Sequence, residues 1–167
     1  MAFHITSANL GVGTQQIADT STTQNHPLGT IVQATDPTYG GGEFIYLKGI
    51  ASTTVGSIVT YNPSTFTTAL APVGTNKPEA VAVAMSANVA SQYGWYQISG
   101  QAVIAKSSAI SLAAGVAVGV KTIGFIASTG SGKEVQGALV AAVASAASGR
   151  TTVRVMINRP HMQGRIT

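Results

Sequence analysis

Residues 151 to 160 read TTVRVMINRP, and within them Val153, Val155 and Ile157 alternate with Arg154, Met156 and Asn158. Successive side chains of a strand point to opposite faces, so this period of two predicts a half-buried β-strand. Pro160, which cannot donate to a ladder, is its expected end. Short runs of the same kind recur along the chain between turn residues: Leu28 to Ala34, EFIYLKGIA (43–51), GSIVTYN (56–62), STFTTALAP (64–72), EAVAVAMS (79–86), Tyr93 to Ala105, and two within 109–128. DPTYGGG (36–42), Asn62-Pro63 and TGSGKE (129–134) supply the punctuation, the last as a hairpin turn. VQGALVAAVAS (135–145) fits a short helix as well as a strand. The pattern predicts a mainly β fold, a compact β-sandwich or a partly closed β-barrel with few short helices.

Residues 1–27 break this pattern. They are rich in Thr, Ser, Gln and Asn and show no consistent apolar period. Such a segment buries too little apolar surface to offset its own ordering entropy, so it is expected to be an extended N-terminal arm that is disordered or orders on a neighbour. The expected division is an arm over 1–27, a β domain over 28–160 and a C-terminal tail over 161–167.

Charge narrows the class of function. Only 8% of the residues are charged, against about 25% in an ordinary soluble domain. Subunit contacts are depleted in Lys, Asp and Glu, so this poverty leans toward assembly, although Ser, Thr, Asn and Gln also solvate a surface. The net charge of +4 is local: Arg150, Arg154, Arg159 and Arg165 fall in the last 18 residues with no acid among them. They suit phosphate or an acidic protein face, or are ordinary surface groups. There is no cysteine, hence no disulfide and no thiolate metal site. MAFHITSANL lacks the basic start and apolar run of a secretory signal, and the apolar window 109–128 contains Lys121 and reads as two strands, which argues against a membrane span.

Catalytic chemistry has few possible actors. ASTGSGKE (127–134) departs from a phosphate-binding loop at Ala127 and Glu134, where a glycine and a hydroxyl residue are required. His4, His26 and His161 are scattered, without a second ligand nearby in sequence, and two of them fall in expected arms as solvated side chains. Asp19, Asp36, Glu43, Glu79 and Glu134 are isolated; Glu43 with Glu79 is the one carboxylate pair left open. No cofactor, no metal and no enzymatic activity are expected.

SQYGWYQISG (91–100) holds the only tryptophan, Trp95, between Tyr93 and Tyr96. Its alternation puts Tyr93, Trp95, Gln97 and Ser99 on one face and Tyr96 and Ile98 on the other. Aromatics that keep one polar end suit a boundary between dry and wet surroundings, here a loop or subunit contact. A sugar-stacking platform is the alternative.

The stretch LGTIVQATDPTYGGGEFIYLKGIA, then AVAVAMSANVASQYGWYQISGQAV, then the late strand ending NRPHM, resembles small capsid decoration (cement) proteins of tailed bacteriophages. The resemblance spans roughly residues 28–162, and AVAMSANVASQYGWYQISG is its most specific piece. It implies a non-enzymatic β-rich protein, made in the reducing cytoplasm of the bacterial host, that binds the outer surface of an assembled head and clamps neighbouring major capsid proteins. The expected partners are the major capsid protein and further copies of the chain, as a homotrimer, with no membrane and with nucleic acid disfavoured.

Clamping would be multivalent, the later contacts of an oligomer being intramolecular. The candidate interface residues are Phe3, Ile5, Leu10 and Ile17 on the arm, Tyr93, Trp95 and Tyr96 near intersubunit packing, and Arg154, Arg159 and Arg165 facing acidic patches. A sugar- or host-binding tail or fibre module is the rival reading. A small DNA-binding head protein, holding DNA through the C-terminal arginines, is a second.

Overall fold

The computed structural model of the chain describes residues 4–5, 15–75, 77–107, 110–146 and 151–164. Its regular elements are all strands: β1 (His4–Ile5), β2 (Thr20–Ser21), β3 (Ile31–Asp36), β4 (Gly40–Lys48), β5 (Ile58–Tyr61), β6 (Thr68–Leu70), β7 (Ala80–Ala84), β8 (Tyr93–Lys106), β9 (Ala117–Thr122), β10 (Phe125–Ser128), β11 (Glu134–Val140) and β12 (Thr151–Met162). The fold is mainly β, as the alternation predicts, and the described residues contain no helix. The run from Val135, open to either reading, is a strand, because β11 is paired on one edge by β9 and on the other by β12. Tertiary pairing overrides the helix propensity of its alanines.

The long strand β8 organises the molecule. A strand has two edges, yet β8 pairs with five partners by using its 14 residues in two halves. Its first half lies between β4, where Tyr46 faces Trp95, and β7, where Ala84 faces Tyr96. Its second half pairs with β12 from Asn158↔Ser99 to Thr151↔Lys106, and meets β10 in parallel at Ile126↔Lys106. Gly100 marks the change of direction. Its φ of 98° lies in the region that favours glycine, and an added Cβ would stand 2.4 Å from the Gly41 carbonyl oxygen.

From β8 the pairings run through β10, β9, β11 and β12 and return to β8, curling this half around one core. Ile104, Val118, Val120, Ile126, Val153, Val155 and Ile157 fill it. The sheet as a whole is not a closed barrel: it continues through β4 and β3 to β1 on one side and through β7 and β5 to β6 on the other. The two faces of the β4–β8 layer carry the other two cores. Phe44, Tyr46 and Trp95 point to one face, and Ile45, Leu47, Tyr96 and Ile98 to the other. This sandwich-like burial of both faces explains why the run 93–98 alternates so weakly in polarity.

Three local expectations change. The chain does not leave its strand at Pro160 but continues to Met162. Ala138 faces Ile157 while Gln136 faces His161, so residues 158–160 bulge against Gly137, and Arg159 takes φ 43° there. A proline in a bulge forfeits no ladder bond. Gly40, Gly41 and Gly42, expected as turn, pair with Asp36, Thr35 and Ala34 in the β3–β4 ladder. Residues 129–133 are not a hairpin turn, since β10 and β11 lie on opposite edges of β9.

Candidate functional site

Residues 15–28, of which 15–27 fall in the expected extended arm, lie as a strap over the face of β4 and β8 that carries Trp95. Ile17 is 2% exposed and packs in one cluster with Phe44, Tyr46, Met85 and Trp95. Gln15, 3% exposed, is the polar hub beneath the strap. Its side-chain oxygen accepts from the Tyr46 hydroxyl at 2.8 Å and from the Asn25 amide at 3.0 Å. Its Nε2 donates to the carbonyls of Tyr93 and Asp19, and its own carbonyl accepts the indole N–H of Trp95 at 3.1 Å. β2 then pairs with the start of β8, Thr20 opposite Gly94 and Ser21 opposite Tyr93.

His26 closes the cluster. It is buried, not solvated, with its ring edge-on to Tyr46 at 5.0 Å and tilted against Trp95 at 5.3 Å. Burial lowers its pKa below the ordinary 6.5. The same burial raises the pKa of Tyr46 above 10, opposed by the backbone N–H of Asn25.

This placement corrects the expected surface role of the aromatics. Trp95 and Tyr96 are both 0% exposed: they are core of the chain itself, on opposite faces of β8. Only Tyr93, half-buried and stacked on Tyr46 at 6.5 Å, touches solvent. The Trp95 ring is likewise not presented for stacking on a sugar. Ile17 is held in the chain's own core. Ile5 lies in β1, whose backbone pairs with Ala34 and Thr35 of β3; Phe3, Leu10 and Arg165 lie outside the described residues.

The arginines separate. Arg159 reaches across from the β12 bulge to Glu43 of β4, with Nη2 to Oε2 at 3.1 Å. Its charge also holds down the Tyr61 phenol, whose pKa burial raises. Glu43 is thereby committed to a guanidinium. Arg154, on the outer face of β12, lies over the Tyr39 ring at 5.8 Å. Next to it stands an apolar row, in which Ala117 of β9 faces Leu139 of β11 and Leu139 faces Met156 of β12; the polar Gln101 of β8, opposite Met156, ends it. Leu139 is 47% and Met156 44% exposed, so this is an outer sheet face with an apolar centre and a cation beside it.

The alternation of β12 already placed Met156 beside Arg154 on one face. Leu139 was hidden by the helix-or-strand ambiguity of β11, and Gln15 and His26 carried no periodic signal. Among the described residues no three His, Cys, Asp or Glu side chains stand close enough to hold a metal ion, and no helix is long and apolar enough to cross a membrane. No protein-family model matches the chain, and no curated protein matches it.

Proposed function

We propose that this chain is a structural capsid decoration protein, which binds the outer surface of an assembled phage head, joins neighbouring major capsid proteins and performs no catalysis. The observation that carries the reading is the outer face of β11 and β12. An apolar row through Leu139 and Met156, with Arg154 beside it, is the composition of a contact with an apolar centre and a cationic rim. The resemblance of residues 28–162 to cement proteins and the low charge of the chain point the same way. The major capsid protein and further copies of the chain, as a homotrimer, are the partners in this reading, and the virion exterior is its place.

The strap alters one part of the expected mechanism. Residues 15–27 cover the chain's own core, so they are not free to serve as an arm on a neighbour. A truncation that tests the arm must keep Gln15, Ile17 and His26, or it uncovers Trp95 and tests the strap instead.

The deciding experiment is cryo-electron microscopy of capsids incubated with and without the protein. Ordered extra density on the outer shell at symmetry axes supports decoration and gives the stoichiometry. Bare shells, with the protein retained on glycan or DNA, overturn it.

A further inference from the structure

His26 is a buried titratable group to which the decoration reading gives no role. It is 4% exposed, and its Nε2 is enclosed with no hydrogen-bond partner among the described residues. A neutral imidazole fits between Tyr46 and Trp95 as a flat ring. An imidazolium has two N–H donors, and the one at Nε2 would face a place with no acceptor. Attraction of the cation to the neighbouring rings is smaller than the cost of stripping water from an unpaired ion.

Among the described residues, the side chains against the ring carry no charge; Asp36, buried on the same face of β3 as Val32 and Ala34, accepts the backbone N–H groups of Thr38 and Tyr39. Tyr46 from β4 is held protonated to above pH 10 by burial, and Tyr93 from β8 stacks on it from the other side. Trp95, Ile17 and Met85 complete the cluster without charge. Lys48, two residues beyond Tyr46 on the same face of β4, is a like charge. On the strap itself, Asp19 is exposed to solvent.

The strap is also tied to the sheet by little regular pairing. Its only strand is β2, joined to β8 by two residue pairs. Its other holds are the Gln15 bonds, the Ser86 hydroxyl donating to the Asp19 carbonyl, the Asn25 backbone N–H donating to the Tyr46 hydroxyl, and the packing of Ile17, His26 and Leu28. The strands beneath are paired directly with one another and not through the strap.

We propose that residues 15–28 are an acid-released latch, in which protonation of His26 lifts the strap from Tyr46 and Trp95 while the sheet below stays folded. The proposal is independent of the decoration reading. In the closed state the ring resists the proton, and in the open state it titrates near its ordinary 6.5. The stabilisation of the closed latch is therefore whole above that value and is lost as pH falls below it, levelling off once the closed form also protonates. Opening would bare an aromatic surface.

Trp95, the only tryptophan, reports the strap directly. In the full chain titrated from about pH 8 to about pH 5, its emission should shift to the red with a midpoint below 6.5. Amide exchange in residues 15–28 should rise over the same range and the far-ultraviolet β signal should stay constant. His26→Phe should hold the emission flat, and His26→Gln serves the same test where the phenylalanine variant does not fold. An unmoving wild-type emission, the same titration in wild type and in a folded variant, or a red shift that coincides with loss of the β signal would each overturn the latch.

Discussion

The indole N–H of Trp95 donates to the backbone carbonyl of Gln15 at 3.1 Å, a bond between residues 80 positions apart. It lets the largest side chain of the molecule be wholly buried, because the one polar atom of the ring is satisfied. It also sets the Gln15 side chain against Tyr46 and Tyr93, so a single residue binds the strap to both β4 and β8.

Gln15→Ala keeps the carbonyl that Trp95 uses but removes the acceptor of the Tyr46 hydroxyl and the Asn25 amide. Leaving the buried phenol O–H without an acceptor should cost about 1–3 kcal/mol. Urea denaturation followed by Trp95 emission should show the midpoint falling, and an unchanged midpoint would mean that the hub contributes nothing.

Tyr96 is the opposite case. Its hydroxyl is enclosed without a hydrogen-bond partner, and burial pushes its pKa up to about 12 against the opposing pull of Thr68 and Asn88. Thr68 lies close enough to influence the phenol, but its hydroxyl donates to the Lys48 carbonyl at 3.0 Å and makes no hydrogen bond with Tyr96. Tyr96→Phe should therefore be neutral or raise stability slightly, since the oxygen it removes had been desolvated without return.

The same group sets an alkaline limit. A phenol whose folded value is raised stabilises the fold below its ordinary pKa of 10 and loses that contribution as pH rises toward about 12, because the unfolded chain ionises first. Thermal melts should decline across that window. The decline should be shallower in Tyr96→Phe, with a residue left by Tyr46 and Tyr61, which burial shifts in the same direction.

Gly100→Val tests the turning point of β8. The new Cβ would collide with the Gly41 carbonyl at 2.4 Å and impose a branched side chain on φ 98°. Strain of this kind costs at least about 1–3 kcal/mol. The expected outcome is a lower denaturation midpoint; wild-type stability would mean that β8 can bend elsewhere.

Strands were legible where one face is wet. In β12 the buried Val153, Val155 and Ile157 alternate with exposed Arg154, Met156 and Asn158 as the period of two requires. Legibility failed where burial is two-sided or unperiodic. Trp95 and Tyr96 are buried on opposite faces, so alternation could assign each a face but not reveal that both faces are covered. The strap was invisible because its seating depends on one isoleucine, one histidine and one glutamine in a polar run, held by partners far along the chain. Mean composition marks that run as an arm; three well-placed side chains make it a lid.

The outer face of β11 and β12 gives the prediction that bears on function. Leu139 and Met156 are about half exposed and face each other across the ladder. Met156→Lys should leave folding within about 0.5 kcal/mol of wild type, the usual range for a surface site. In the decoration reading it should cut capsid occupancy at least tenfold, by placing a strongly hydrated charge at the centre of the contact. Arg154→Ala should weaken occupancy less and flatten its dependence on salt, because a rim cation acts through screened attraction. Occupancy measured by co-sedimentation with capsids across a salt series separates the two. Full retention of Met156→Lys would move the contact off this face, and an unaltered salt dependence in Arg154→Ala would leave that arginine to its stacking on Tyr39 alone.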